Sequence, residues 1–177
     1  MRRECWCAVL YITCGGTKIM LLGVDHTGIV TNDIQRLYNF YTKLPGVKVT
    51  SELDTYSGEL IDRLNGYKNA KVKMFNIQIG GDVGTERNYS TGKVEFIEFI
   101  DPPGEKLNLA NNAGGNAHLS LITDSIEDDF ARLKGEGVSF SCEPQEVDFG
   151  GELQGVKVVY FKDPDGRPVE LMQFPKA

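Results

Sequence analysis

The chain contains two histidines, His26 and His118, which lie in two similar sequence segments. Each is followed further along the chain by a glutamate, and these glutamates also lie in two similar segments. When the sequence is shifted by 92 residues, "GVDHTGIVTNDIQRLY" overlies "GNAHLSLITDSIEDDF" and the two histidines coincide. Glu95 in "VEFIEF" and Glu170 in "VELMQF" occupy one position of a shared pattern. Imidazoles and carboxylates suit Zn, Ni, Co, Mn or Fe(II). Two carboxylates would balance a divalent charge and leave positions open for water or substrate. We therefore predict a divalent metal centre built from His26, Glu95, His118 and Glu170.

The glutamates stand on strand faces where a charge needs a partner. Side chains alternate along a strand, so Glu95 shares its face with Ile97 and Phe99. Burying an unpaired carboxylate costs roughly several kcal/mol. A bound metal ion would compensate that charge. Glu98 is the competing candidate. It falls on the opposite face, where we expect it to be solvated, although a β-bulge would reverse the choice.

The elements that must position these residues also occur twice. In each half, an apolar strand that carries the histidine precedes a helix with an apolar stripe, and three more strands follow. Asn32 with Gln35, and Asp124 with Glu127, are expected to cap the two helices. The second strands are predicted at "VKVTS" and "VSFSC", and "KDPDG" predicts a turn that joins the last two strands. The order β-α-β-β-β, repeated, predicts an α+β fold of two βαβββ modules.

The repeat divides the chain into an N-terminal extension (residues 1–20), a first module (21–110) and a second module (111–177). An insertion, Asp54–Asn69, interrupts the first module and is expected to contain a short helix. Together with the loop at 81–91, it is expected to shape a substrate pocket.

Composition narrows the class of partner. The net charge of −6 argues against nucleic acid, which needs a basic face. No apolar run is long enough to span a bilayer, so we expect no membrane partner. The four cysteines form no CxxC pair, which favours reduced thiols in a cytoplasmic protein.

The repeat and the order His, Glu, His, Glu resemble the vicinal-oxygen-chelate superfamily, which includes glyoxalase I, methylmalonyl-CoA epimerase, bleomycin-resistance proteins and extradiol dioxygenases. "DHTGIVTNDIQRLYNFYTKLPGVKV" resembles the opening of its first module, and "YFKDPDGRPVELMQF" resembles its closing hairpin. The resemblance implies an open barrel around a metal site. It leaves open whether modules pair within one chain or between the chains of a homodimer.

The resemblance further implies a metal-dependent lyase or isomerase of the glyoxalase I or methylmalonyl-CoA epimerase type, acting on a small molecule. In such enzymes a metal stabilises an enolate formed next to a carbonyl, and a glutamate moves the proton. Glu170 or Glu95 would have that catalytic role here.

Two alternatives remain open from the sequence. An Fe(II) extradiol dioxygenase would use His26, His118 and Glu170 only, and Glu95 would then fill a position that its substrates need. A drug-binding protein of the bleomycin-resistance type would bind a small molecule without a catalytic metal.

Overall fold

The computed structural model describes residues 13–14, 17–18, 23–80, 92–148 and 150–175. Its larger elements form two four-stranded sheets, one in each half of the chain. The strands are β1 (Thr13–Cys14), β2 (Thr17–Lys18), β3 (Thr27–Thr31), β4 (Val47–Ser57), β5 (Lys71–Ile79), β6 (Gly92–Asp101), β7 (Leu119–Ile122), β8 (Gln145–Glu146), β9 (Lys157–Lys162) and β10 (Pro168–Gln173). The helices are α1 (Ile34–Tyr41), α2 (Glu59–Asn65) and α3 (Ile126–Gly135), with a 3₁₀ turn at Gly151–Leu153. None of these described helices is long and apolar enough to cross a membrane.

The two sheets have the same topology. The first sheet has the order β3-β6-β5-β4 and the second β7-β10-β9-β8. In both, the first strand of the module pairs in parallel with the last, and the remaining pairs are antiparallel. The predicted α+β fold of two βαβββ modules is confirmed, as two open sheets rather than a closed barrel. The short helix predicted inside the insertion is α2. Of the predicted N-terminal extension, only the small pair β1 and β2 lies within the described residues.

The second strand of the second module is much shorter than the sequence predicts. "VSFSC" contributes only an isolated bridge between Phe140 and Phe161, and the strand proper is the two-residue β8. Pro144, which has no N–H to donate, stands immediately before β8. By contrast, β4 extends well beyond "VKVTS" to Ser57, with register shifts along its pairing with β5.

The predicted helix caps are each displaced by one residue. The cap of α1 is Asp33, whose carboxylate accepts the Arg36 N–H at 3.1 Å, while Asn32 donates to the Gly104 carbonyl instead. The residue before α3 is Ser125 rather than Asp124. The reason is the same in both modules. A threonine hydroxyl at the strand end accepts the N–H two residues on, Thr31 from Asp33 and Thr123 from Ser125, which delays the helix by one position.

One hydrophobic core joins the modules. Each sheet buries one face against its own helix, and these faces meet in a single cluster. The cluster includes Ile29, Leu37, Phe75 and Phe96 from the first module and Ile126, Leu133, Val159, Phe161 and Val169 from the second. Rings connect the halves directly, because Phe40 on α1 packs against Phe161 on β9. The opposite face of each sheet therefore points away from the shared core.

Candidate metal centre

In the first module, His26 and Glu95 lie together on the outward sheet face. His26 immediately precedes β3, and Gly28, two residues later, is in register with Glu95 on β6. A separation of two residues keeps side chains on one face. The His26 Nε2 atom is 3.6 Å from the Glu95 Oε2 atom.

The second module repeats this geometry. His118 immediately precedes β7, and Ser120, again two residues later, is in register with Glu170 on β10. The His118 Nε2 atom is 3.6 Å from the Glu170 Oε2 atom. The predicted pairing of one histidine and one glutamate per module is thus present in both halves.

The dimensions of both pairs suit a shared metal ion. A nitrogen and an oxygen that each bind a metal at about 2.1 Å lie roughly 3.0–3.4 Å apart for bond angles between octahedral and tetrahedral. The observed 3.6 Å is slightly wider and is too long for a hydrogen bond, so the histidine and the glutamate of each pair do not hydrogen-bond to each other through these atoms. The histidine side chains are about half exposed, and the glutamates are 20% and 14% exposed. Each pair is therefore open to solvent while its carboxylate is partly desolvated.

The two pairs do not converge within one chain. Among the described residues, which include all four predicted ligands, no group of three or more His, Cys, Asp or Glu side chains could hold a metal ion. The described residues of one chain therefore do not bring the four predicted ligands together. The physical reason is the shared core, because the modules pack through their helix-covered faces and the His–Glu pairs lie on the other faces.

His26 has further polar neighbours that the sequence reasoning did not identify. Its Nδ1 atom lies 3.1 Å from Asp25 Oδ2, and Lys93 Nζ lies 2.8 Å from Asp25 Oδ1. The hydrogen bonds from Lys93 and His26 hold the pKa of Asp25 below its usual value. A carboxylate directly before a candidate ligand is a signal visible in the sequence.

Tyr160 on β9 is the corresponding neighbour in the second module. It is in register with Glu170, and its ring packs edge-on against the His118 ring, with centroids 5.5 Å apart. Burial, together with a hydrogen bond to the Glu170 carboxylate, raises the pKa of Tyr160 to about 12. The hydroxyl therefore stays protonated at neutral pH and can donate to Glu170. In the first module the residue in register with Glu95 is Asn76, whose buried Oδ1 atom has no partner among the described residues.

Glu98 lies on the face opposite Glu95, as predicted, but it is not solvated. Its Oε2 atom accepts a hydrogen bond at 3.2 Å from the backbone N–H of Ile34, which is the first residue of α1. Gln173 does the same in the second module, since its Oε1 atom accepts the N–H of Ile126 at 2.7 Å. Both side chains satisfy a helix N-terminus and are therefore structural.

The insertion covers one end of the outward face of the first sheet, the face that carries Glu95; we call the outward face of each sheet, which carries its His–Glu pair, the site face. Val72 and Phe99 are in register on the same face as Glu95, and Val72 is almost fully buried. Tyr67, which follows α2, packs edge-on against Phe99. This covered end lies about 13 Å along β6 from Glu95, given the rise of a strand. The loop at 81–91 lies outside the described residues.

The sequence matches the model of one protein family over residues 23–171, described as the glyoxalase/bleomycin resistance protein/dioxygenase superfamily. An uncharacterized protein of Bacillus subtilis, YwkD, is 25% identical over 155 residues, which is 88% of this chain and 99% of that protein.

Solved structures share the fold. A glyoxalase family protein from Bacillus cereus has a TM-score of 0.69 and 17% identity, covering 89% of this chain and 97% of that one. Glyoxalase I from Zea mays has a TM-score of 0.56 and 18% identity, covering 86% of this chain and 44% of that longer one. The fosfomycin resistance protein FosX from Listeria monocytogenes, solved with Mn(II) and sulfate, has a TM-score of 0.50 and 15% identity, covering 88% and 95%.

Proposed function

Because the chain belongs to the glyoxalase/bleomycin resistance protein/dioxygenase superfamily, we propose that it is a divalent-metal-dependent lyase or isomerase that acts on a small molecule. The observation that carries this proposal is the pair of matching His–Glu contacts, each 3.6 Å, on the open faces of the two sheets. Their donor set, two imidazoles and two carboxylates, suits Zn, Ni, Co, Mn or Fe(II) and balances a divalent charge.

Each side chain of the set has a chemical role in this proposal. The bound ion would supply positive charge to an oxygen that becomes negative when a proton leaves the neighbouring carbon. His26 and His118 orient their Nε2 atoms as neutral ligands. Glu95 or Glu170 takes the proton and returns it to the substrate, as a general base and then a general acid.

We propose that each complete site forms between two copies of the chain, with His26 and Glu95 from one copy and His118 and Glu170 from the other. Both site faces turn away from the shared core, so a second copy has access to them. The edge strands β3 and β7 expose apolar side chains on these faces at corresponding positions, Val30 at 51% and Ile122 at 44%. A two-fold dimer would cover both strands and create two identical sites.

Mixing two variants tests the site and its location between copies together. His26→Ala and His118→Ala should each bind little metal alone. After the two are unfolded together and refolded, half of the dimers should carry one fully intact site, and bound metal should recover to about a quarter of the wild-type amount. A mixture that recovers no metal, although both variants refold and dimerise, would argue against a site shared between copies.

The geometry favours four protein ligands over the three used by an extradiol dioxygenase. Glu95 stands at the same distance from His26 as Glu170 stands from His118, so this geometry supports the same ligand role for both glutamates. The metal-loaded protein should therefore isomerise hemithioacetals or epimerise a 2-acyl thioester. Ring opening of catechols with Fe(II), without either proton-transfer activity, would establish the dioxygenase alternative. If the protein bound a drug in the absence of metal and had no such activity, it would instead be a drug-binding protein of the bleomycin-resistance type.

A further inference from the structure

The first half of the proposed site contains a chain of three side chains in polar contact, Lys93, Asp25 and His26. Lys93 Nζ contacts Asp25 Oδ1 at 2.8 Å, and Asp25 Oδ2 lies 3.1 Å from His26 Nδ1. Lys93 stands two residues before Glu95 on β6 and so shares the face of that glutamate. This chain of contacts therefore ends at the His26 imidazole, whose other nitrogen, Nε2, faces Glu95.

The equivalent positions of the second module carry no such side chains. The residue before His118 is Ala117, and the residue two before Glu170 is Pro168. Neither side chain can form an ion pair. The repeat thus preserves the His–Glu pair in both modules, while the residue directly before the histidine is a carboxylate in the first module and an alanine in the second.

We infer that Asp25 is a positioning residue that orients His26 as a metal ligand, an inference that rests on the proposed function. A carboxylate accepts and cannot donate, so the Asp25 contact requires the hydrogen on Nδ1. The Nε2 atom is then left with its lone pair, directed towards Glu95 Oε2 at 3.6 Å. A carboxylate in this place also makes the imidazole a stronger ligand.

Lys93 supports this arrangement from the other side. Asp25 is largely exposed, with 73% of its side chain accessible, so its rotamer is not fixed by packing. The contact with Lys93 restricts that freedom and keeps the second carboxylate oxygen on His26. We therefore expect graded effects, largest for removal of Asp25 and smaller for removal of Lys93.

The tautomer of His26 in the metal-free protein gives a readout that does not depend on activity. The chain has two histidines, so ¹⁵N-detected imidazole spectra are simple, and His118→Ala assigns them. Wild-type His26 should carry its hydrogen on Nδ1 when neutral. In Asp25→Ala it should shift towards the Nε2–H form that free histidine prefers. The same tautomer in both proteins would overturn the inference.

Metal affinity gives the second readout. In a competition between the protein and a chromophoric chelator for Co²⁺, Asp25→Ala should lose about 10- to 100-fold in affinity. Asp25→Asn, whose side-chain oxygen can still accept from Nδ1, should lose less, and Lys93→Ala should fall between Asp25→Asn and the wild type. Asp124→Asn removes the same charge from an exposed residue of the second module and is the control that should leave affinity unchanged.

The outcomes separate the two proposals. If the wild type binds Co²⁺ and Asp25→Ala binds it equally well, the role of Asp25 is overturned while the metal site stands. If the dimeric wild type binds no divalent ion, both the metal site and the role of Asp25 are overturned.

Discussion

The Tyr41 hydroxyl donates a 3.0 Å hydrogen bond to the Asp163 carboxylate, and both residues are buried. The contact joins α1 of the first module to the β9–β10 turn of the second. The other Asp163 oxygen accepts the backbone N–H groups of Asp165 and Arg167 at 2.9 Å, which closes the turn. Arg36 and Thr31 reach the same turn through Asp165. This anchor fixes the modules helix side to helix side and leaves the two His–Glu pairs facing outward.

Removing the Tyr41 hydroxyl should weaken this anchor. In Tyr41→Phe the buried carboxylate loses a donor, so the free energy of unfolding should fall by about 1–3 kcal/mol. Urea denaturation of the metal-free protein measures the change. Tyr38→Phe on the same helix is the matched control, because that hydroxyl pairs with Glu52 at the surface and its loss should cost clearly less stability than the loss of the Tyr41 hydroxyl. Equal losses in the two variants would contradict the anchoring role.

The titration of Asp163 should make the free energy of unfolding depend on pH. Burial raises its pKa above 3.8, although hydrogen bonds from the Arg167 backbone and from Tyr41 act in the opposite direction. The folded state therefore binds more protons than the unfolded chain in the window that begins near 3.8. The contribution of Asp163 to stability should accordingly decrease as pH rises through that window and then level off.

Asp163→Asn isolates this effect because the amide does not titrate. The difference in unfolding free energy, wild type minus Asp163→Asn, should become smaller as urea titrations move from pH 3 to pH 6. A difference that instead grows with pH over this range would mean that the pKa of Asp163 is lowered by folding.

The sequence predicts the topology well because the signals that define it are local. An apolar strand and a helical stripe occur in the same order in both halves, the "KDPDG" turn joins the last two strands of the second half, and two sheets of identical strand order result. The cap positions are predicted less well. Asn32 and Asp124 have suitable side chains, but the choice depends on where the Thr31 and Thr123 hydroxyls point, which only the folded strand ends determine.

The pairing of each histidine with its glutamate also follows from the sequence, since alternation along paired strands fixes which side chains share a face. How the two sheets pack does not follow. It depends on contacts such as Tyr41 with Asp163, which are distant in sequence and individually unremarkable. The role of Tyr160 likewise depends on the β9–β10 register, whereas Asp25 could have been identified by its position next to His26.

Tyr160→Phe should weaken metal binding with little effect on the fold. The pKa of about 12 keeps the hydroxyl protonated at neutral pH, so it can donate to the Glu170 carboxylate and restrict its orientation. Loss of such a supporting hydrogen bond should reduce metal affinity by about 10-fold, measured by chelator competition. Tyr56→Phe, at a partly exposed tyrosine of β4, should show wild-type affinity. Unchanged affinity in Tyr160→Phe would exclude a supporting role for the hydroxyl.

Glu95 and Glu98 stand three residues apart on opposite faces of β6, and their substitutions should have opposite effects. Glu95→Gln should abolish most metal binding and leave the unfolding free energy of the metal-free protein nearly unchanged, because the residue contributes to the site face. Glu98→Ala should retain metal binding but lose about 1 kcal/mol of stability, because the Ile34 N–H at the start of α1 loses its acceptor.

Gln173→Ala is the matched variant for Glu98→Ala in the second module, where Gln173 accepts the Ile126 N–H. It should cost a similar amount of stability and likewise retain metal, since both side chains serve a helix N-terminus rather than the site face. Chelator competition and urea denaturation on the three variants measure both quantities. If Glu98→Ala lost the metal and Glu95→Gln kept it, the ligand would be Glu98 and the assigned site face would be wrong. Under the proposed function, the sheet face rather than the residue type would therefore decide which of the two neighbouring glutamates binds the ion.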